Sequence, residues 1–214
     1  MTASSTGRER NATATRQAIL DAAEKLFSSQ GFADTAMSQI AQTSAVTKSL
    51  IHHHFGSKAA LWDEVRGRLK AEYLASQSAV ASDDLPAAEL LTRAITTYFR
   101  FLQSRPRVVR MMSWSLLASD PTHRWLDHGL NRHLIEITKA AQAEGSVRAD
   151  LDPVGLLMFI SATVEHYFES KVEFDELIPL DQATSFDETY LDNVIKIFHQ
   201  GVLTSPKTPT APRA

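Results

Sequence analysis

The chain of 214 residues contains no cysteine, which excludes disulfide frameworks and thiolate metal sites and accords with a reducing compartment. No apolar run approaches the roughly 20 residues that cross a bilayer, and the opening stretch M-T-A-S-S-T-G-R-E-R has no apolar signal core. A cytoplasmic protein without membrane contact is expected. Charge of one sign is also scarce: 22 Lys and Arg against 25 Asp and Glu leave −3, too little for a chain that coats nucleic acid along its whole length. Strand-like alternation between turns is missing, so no sheet is expected. Missing too are a Glu-x-x-His pair, a glycine-rich phosphate loop and a nucleophile motif, which leaves no catalytic residue to name.

What is present is helical periodicity with uneven charge. A hydrophobic fraction of 43% over this length supports a substantial core, as one large or two small domains. Residues 1–60 carry Arg8, Arg10, Arg16, Lys25, Lys48 and Lys58 against Glu9, Asp21, Glu24 and Asp34, a surplus of two positive charges that leaves −5 for the rest. A basic head on an acidic body suits a modular binder with DNA at one end.

Residues 1–12 are polar and aperiodic and read as a disordered arm. Arg8 and Arg10 suit a minor groove, although an unconstrained terminus is the plainer reading. From Thr13 the apolar residues Ile19, Ala22, Ala23, Leu26 and Phe27 recur at three and four, an amphipathic helix that Gly31 stops by taking the left-handed conformation. A short helix follows, with Thr35 as its cap and Met37, Ile40 and Ala41 inward. Next comes A-V-T-K-S-L-I-H-H-H-F-G-S-K, Ala45 to Lys58. Here Thr47 caps, Val46, Leu50, Ile51 and Phe55 turn inward, and Lys48, Ser49, His52 and His53 face out. Ser57 then caps a helix that turns Leu61, Trp62 and Val65 inward. One long and two short helices before a fourth are helix-turn-helix geometry, the second short helix in the reading position.

Beyond Lys58 every segment reads as helical, with boundaries near Asp83–Pro86, Arg105-Pro106, Asp120-Pro121, Gly145, Asp152-Pro153 and Pro179–Asp187. The tail Ser205–Pro212 is proline-rich and reads as disordered. The fold expected is all-α: arm 1–12, helix-turn-helix head 13–60, larger helical body 61–204, tail 205–214.

Three stretches carry a family resemblance: R-Q-A-I-L-D-A-A-E-K-L-F-S-S-Q-G-F from Arg16, S-Q-I-A from Ser38, and A-V-T-K-S-L-I-H-H-H-F-G-S-K-A-A-L from Ala45. In order and spacing they resemble the DNA-binding domain of the TetR family of bacterial transcriptional regulators. The resemblance implies that Lys48 and Ser49 meet base edges, with lysine suited to guanine O6 and N7. It implies that His52, His53, His54 and Lys58 touch phosphates, and that Thr35 and Ser38 add backbone contacts. Two departures stand out. His52 replaces a usual tyrosine, bringing a pH-dependent charge that would tighten phosphate binding as pH falls. Leu50 replaces a small or hydroxylated residue, as extra core or as a contact for a thymine methyl.

The resemblance also implies that the body binds a small molecule and that its last two long helices pair with a second subunit, matching a palindromic operator in double-stranded DNA. Pro153–Lys171 is apolar on more than one side, and Tyr190, Leu191, Val194, Ile195, Phe198 and Val202 form a stripe on the final helix. For an effector pocket the residues of interest are Phe99, Met111, Met112, Trp114, Leu117, Phe159, Thr163, His166 and Tyr167, which mix sulfur, aromatic rings and polar tips, with ordinary core as the alternative. His166 needs a partner, either a ligand or a carboxylate such as Glu165 or Glu169. His123, His128 and His133 recur every five residues, wrong for one helix face, and consecutive helical residues such as His52 to His54 point about 100° apart, so neither a metal nor another cofactor is expected. The leading reading is a repressor released by a small apolar or aromatic ligand; the rival is an all-helical enzyme with a histidine-based site in the body.

Overall fold

A computed structural model describes residues 3–81, 85–117, 128–178 and 186–204. Among them the regular elements are α1 (Ala3–Asp34), α2 (Met37–Thr43), α3 (Lys48–Phe55), α4 (Lys58–Ala81), α5 (Ala87–Ser104), α6 (Pro106–Leu117), α7 (His128–Ala143), α8 (Pro153–Ser170), a 3-10 segment (Lys171–Leu177) and α9 (Phe186–Gly201). The extended pairing among these residues is one isolated bridge, Val147 with Leu203. The expected boundaries at Asp83-Asp84 and Asp120-Pro121 and the proline-rich tail lie outside the described residues.

Helix α1 begins at Ala3, so residues 3–12, expected as a disordered arm, are helical. Gly7 is the one poor helix former among them besides the polar Ser, Thr and Asn, and it costs only about 1 kcal/mol, too little to break a helix already nucleated by buried Ile19, Leu20, Ala22 and Ala23. At the other end Gly31 takes φ 78° and ψ 175°, a kink that closes the main run. A side chain there would meet two strains at once. The positive φ disfavours any Cβ, and that Cβ would lie 3.0 Å from the Trp114 ring.

Two compact units emerge. The first comprises Met1–Glu72 with Arg105–Trp125, so it continues past residue 60 and recruits α6. The reason lies in α4, where Leu61, Trp62, Val65 and Leu69 are buried and complete the core begun by Ile19, Phe27, Ile40 and Ile51. Phe27 meets Trp62 edge-on at 5.0 Å, and each such sealed side chain contributes about 1.5–3 kcal/mol relative to exposure.

The second unit comprises Tyr73–Ser104 with Leu126–Ala214 and packs α5 against α7, α8 and α9. Its centre is aromatic: Phe99 lies 5.6 Å from Tyr167, which stacks on Tyr190 at 4.0 Å. Pro153 occupies the first turn of α8, and Asp152 caps it by accepting from the Gly155 N–H at 2.7 Å. On α9 the apolar stripe buries Leu191, Val194 and Phe198, with Val202 following. The start of that helix is tied by Asp187, which accepts hydrogen bonds from the Tyr167 hydroxyl, Gln103 Nε2 and Lys171 Nζ. Burial works against its charge, but the three donors together hold the Asp187 carboxyl below the usual aspartate value.

Candidate nucleic-acid interface

The two short helices are placed by their caps and buried faces. Before α2 the cap position is Ala36, not Thr35; Gln39 Oε1 accepts from the Ala36 N–H at 2.7 Å, the returning half of a capping box. Ile40 and Ala41 seat the helix in the core. The turn to α3 passes through Ala45 at φ 55°, a left-handed position unusual for alanine. Thr47 then caps α3, its hydroxyl accepting from Leu50 N–H at 3.2 Å, and Ile51 and Phe55 anchor the helix from below. Val46 and Leu50, expected inward, are half-exposed.

Eight residues make α3 about 12 Å long, the width of a major groove. Its outward side presents Lys48, Ser49, His52 and His53, all exposed, with His54 half-exposed behind them. Among the described residues Lys48, Ser49 and His53 make no internal hydrogen bond, so their donors and acceptors face water. His52 is different. Its Nδ1 lies 2.9 Å from the Gly56 carbonyl, a partner that only accepts, so Nδ1 carries the hydrogen. Gly56, at φ 76°, turns that carbonyl back onto the helix. Ser38 is exposed in the first turn of α2, where peptide N–H groups also suit an anion.

Two residues expected at phosphates are engaged within the chain. Thr35 is 1% exposed, and its hydroxyl donates to the Gly31 carbonyl at 2.6 Å, so it closes the end of α1 and cannot reach a phosphate. Lys58 Nζ donates to the carbonyls of Phe32, Ala33 and Thr35 at 2.9, 3.1 and 3.0 Å and sits 4.5 Å from the centre of the Phe32 ring. An ammonium has three protons, and all are committed. Lys58 therefore fastens the start of α4 to the turn after α1.

The proposed pocket residues divide between the units. Met111, Met112, Trp114 and Leu117 belong to α6 in the first unit; Met111 is buried, Met112 half-buried, Trp114 covers Gly31 and Leu117 is largely exposed. Phe99 and Tyr167 form the aromatic centre of the second unit. Phe159 is exposed, and Thr163, half-exposed, donates to the Phe159 carbonyl at 2.8 Å. His166 is exposed and takes neither expected carboxylate; Glu165 instead accepts the Tyr98 hydroxyl. His133 is exposed on α7, while His123 and the His128 side chain lie outside the described residues. Tyr73, Gln77 and Tyr98 were not singled out from the sequence, although they carry buried polar atoms. Among the described residues no helix is long and apolar enough to cross a membrane.

With this geometry in hand, similarity to known proteins is specific. Residues 19–65 match the family model for bacterial regulatory proteins of the tetR family, and residues 84–177 match that for a tetracyclin repressor-like C-terminal domain. The HTH-type transcriptional regulator RutR of Escherichia coli K12 is 31% identical over 205 residues, covering 91% of this chain and 93% of its own. The ketosteroid transcriptional regulator KstR2 of Mycobacterium tuberculosis superposes with a TM-score of 0.69 at 20% identity, over 89% of this chain and 95% of its own. A TetR family regulator from Marinobacter aquaeolei VT8 gives 0.68 at 16%, over 92% and 100%.

Proposed function

The chain belongs to the TetR family of bacterial regulatory proteins, and on that premise we propose that it is a cytoplasmic homodimeric repressor, released from a palindromic operator by a small apolar or aromatic effector. It is a DNA-binding transcriptional regulator and not an enzyme. The observation that carries the finer reading is the outward row of α3. Lys48 and Ser49 lie at its N-terminal end with their hydrogen-bonding capacity unspent, the chemistry for base edges, while Ser38, Thr47, His53 and His54, and His52 when its ring is protonated, are placed for phosphates.

Pairing of subunits is supported by what one chain leaves uncovered. Val154, Met158 and Phe159 on α8 and Ile197 on α9 are 48, 68, 56 and 62% exposed, and apolar side chains left in water on each of the two helices favour a second copy over water. Effector binding acts in this scheme by shifting the dimer toward a population whose two α3 helices no longer match successive major grooves.

The test is binding to fragments of the DNA upstream of the protein's own gene, across salt. Several phosphate contacts release counterions, so affinity falls steeply between about 50 and 200 mM salt; a flat profile overturns the DNA-binding assignment of α3. Sedimentation at micromolar protein returns a dimer, and a monomer there refutes the pairing. Release of the DNA by a screened metabolite then separates a sensor from a regulator that senses nothing.

A further inference from the structure

The second unit gathers polar side chains away from its aromatic centre. Glu165 on α8 accepts the hydroxyl proton of Tyr98 on α5. The Tyr73 ring lies 5.2 Å from that of Tyr98 and 5.1 Å from that of Phe101. Gln77 is buried, and its Nε2 donates to the Tyr73 hydroxyl oxygen at 3.1 Å and to the Ala94 carbonyl at 3.3 Å. The Tyr73 oxygen is thus already an acceptor, and its own proton meets no acceptor among the described residues. Glu165 is engaged through Oε1 alone, and no lysine or arginine among the described residues pairs with it.

This carboxylate is awkwardly placed for its own chain. Burial pushes the Glu165 carboxyl above the usual glutamate value, and the Glu169 carboxylate one turn on pushes the same way, against the Tyr98 hydrogen bond. Burial and the neighbouring carboxylate also raise the phenols of Tyr98 and Tyr73 well above the usual value, so both stay protonated. A half-buried carboxylate without a counter-ion is costly, and a cation relieves that cost. The Tyr98 ring beside it, in contact with that of Tyr73, which meets Phe101 in turn, adds attraction for the same charge. An anionic guest meets the reverse, repulsion from Glu165.

We propose that Glu165, held by Tyr98 at the end of the Tyr98–Tyr73–Phe101 ring series, is the anchor of the effector, and that the effector carries a protonated or quaternary amine on an apolar body. This rests on the reading of the second unit as the sensor of a small molecule. Glu165 pairs with the cationic nitrogen through Oε2, the rings enclose its alkyl groups, and the Tyr73 hydroxyl is left to donate to an acceptor further along the guest.

The test titrates the full-length protein and its Glu165→Gln variant at pH 7 with phenethylamine, 2-phenylethanol and phenylacetate, three probes of nearly one shape and of charge +1, 0 and −1. The amine is expected to bind the parent protein at least about tenfold more tightly than either competitor. E165Q keeps an acceptor for Tyr98 and removes that margin while leaving the alcohol's affinity unchanged. Equal affinities, no binding of the amine, or an amine margin that survives E165Q overturns the anchor. Should E165Q fail to fold, Phe101→Leu takes its place: losing an aromatic wall narrows the margin about threefold or more with the alcohol unaffected, and an unchanged margin overturns the proposal. Operator binding is measured on the same preparations. A protein that holds its upstream DNA but shows no amine preference loses the anchor alone, whereas one that prefers the amine through Glu165 yet is never released from DNA by amines loses the sensing scheme instead.

Discussion

Helices α3 and α8 are seated alike, each by a capping side chain and a buried apolar row, Ile51 and Phe55 in one, Ile160, Val164 and Tyr167 in the other. They differ in what remains outside. On α3 the remainder is Lys48, Ser49, His52 and His53, groups that water satisfies and a polyanion satisfies better. On the first half of α8 it is Val154, Met158 and Phe159, which water does not satisfy, while the exposed His166 and Glu169 lie towards its other end. The chemistry left over after folding differs accordingly: hydrated and charged on one helix, largely apolar on the first half of the other.

That division can be broken by substitutions that should act on one unit and spare the other. Phe99→Ala has the largest expected effect, about 3–5 kcal/mol lost from the second unit, because a fully buried ring inside an aromatic cluster leaves a cavity. Calorimetry should show the loss, and operator affinity of the remaining folded protein should be little changed. Lys58→Ala comes next, at about 2–3 kcal/mol, since three carbonyls lose a charged donor. Its salt slope on DNA should equal that of the parent; a slope lower by about one charge would return Lys58 to the phosphate contacts. Lys48→Ala should reverse the pattern, with an unchanged melting temperature and about 1–3 kcal/mol less operator affinity together with relaxed sequence preference. The smallest effect concerns pH. Asp187 has a depressed carboxyl value, so its ties contribute stability above the ordinary aspartate range and lose it as pH falls through the lowered value. Asp187→Asn should flatten that acid-side decline of the second unit, and an identical acid profile would remove Asp187 from it.

Much of the head was legible in the sequence because its signals are local. Thr47 caps the residue three ahead, Gly31 needs only its own φ, and the buried rows of α1 and α3 repeat within one turn. Pro106 and Pro153 open α6 and α8 for the same reason. What escaped is long-range. Lys58 has a phosphate-binder's side chain and position, and only folding brings it to carbonyls 23 to 26 residues back. Thr35 looks like a cap until the Gly31 carbonyl is found within its reach. Tyr98 and Glu165 are 67 residues apart, and no periodicity in one sequence pairs them. Residues 3–12 lie within α1 despite their polar composition: composition describes solubility, while helix continuation depends on a neighbour already folded.

The hydrogen bond from His52 to Gly56 fixes more than the pose of a ring. With Nδ1–H committed to that carbonyl, the tautomer is chosen before DNA arrives, and the outward nitrogen is Nε2. In the neutral ring Nε2 is a lone pair, fit for the amino group of adenine or cytosine and unfit for a phosphate oxygen. One added proton makes it a donor and inverts both preferences. A tyrosine hydroxyl turns freely and serves either partner, so at a DNA contact an imidazole at position 52 would discriminate between neighbours that a phenol treats alike.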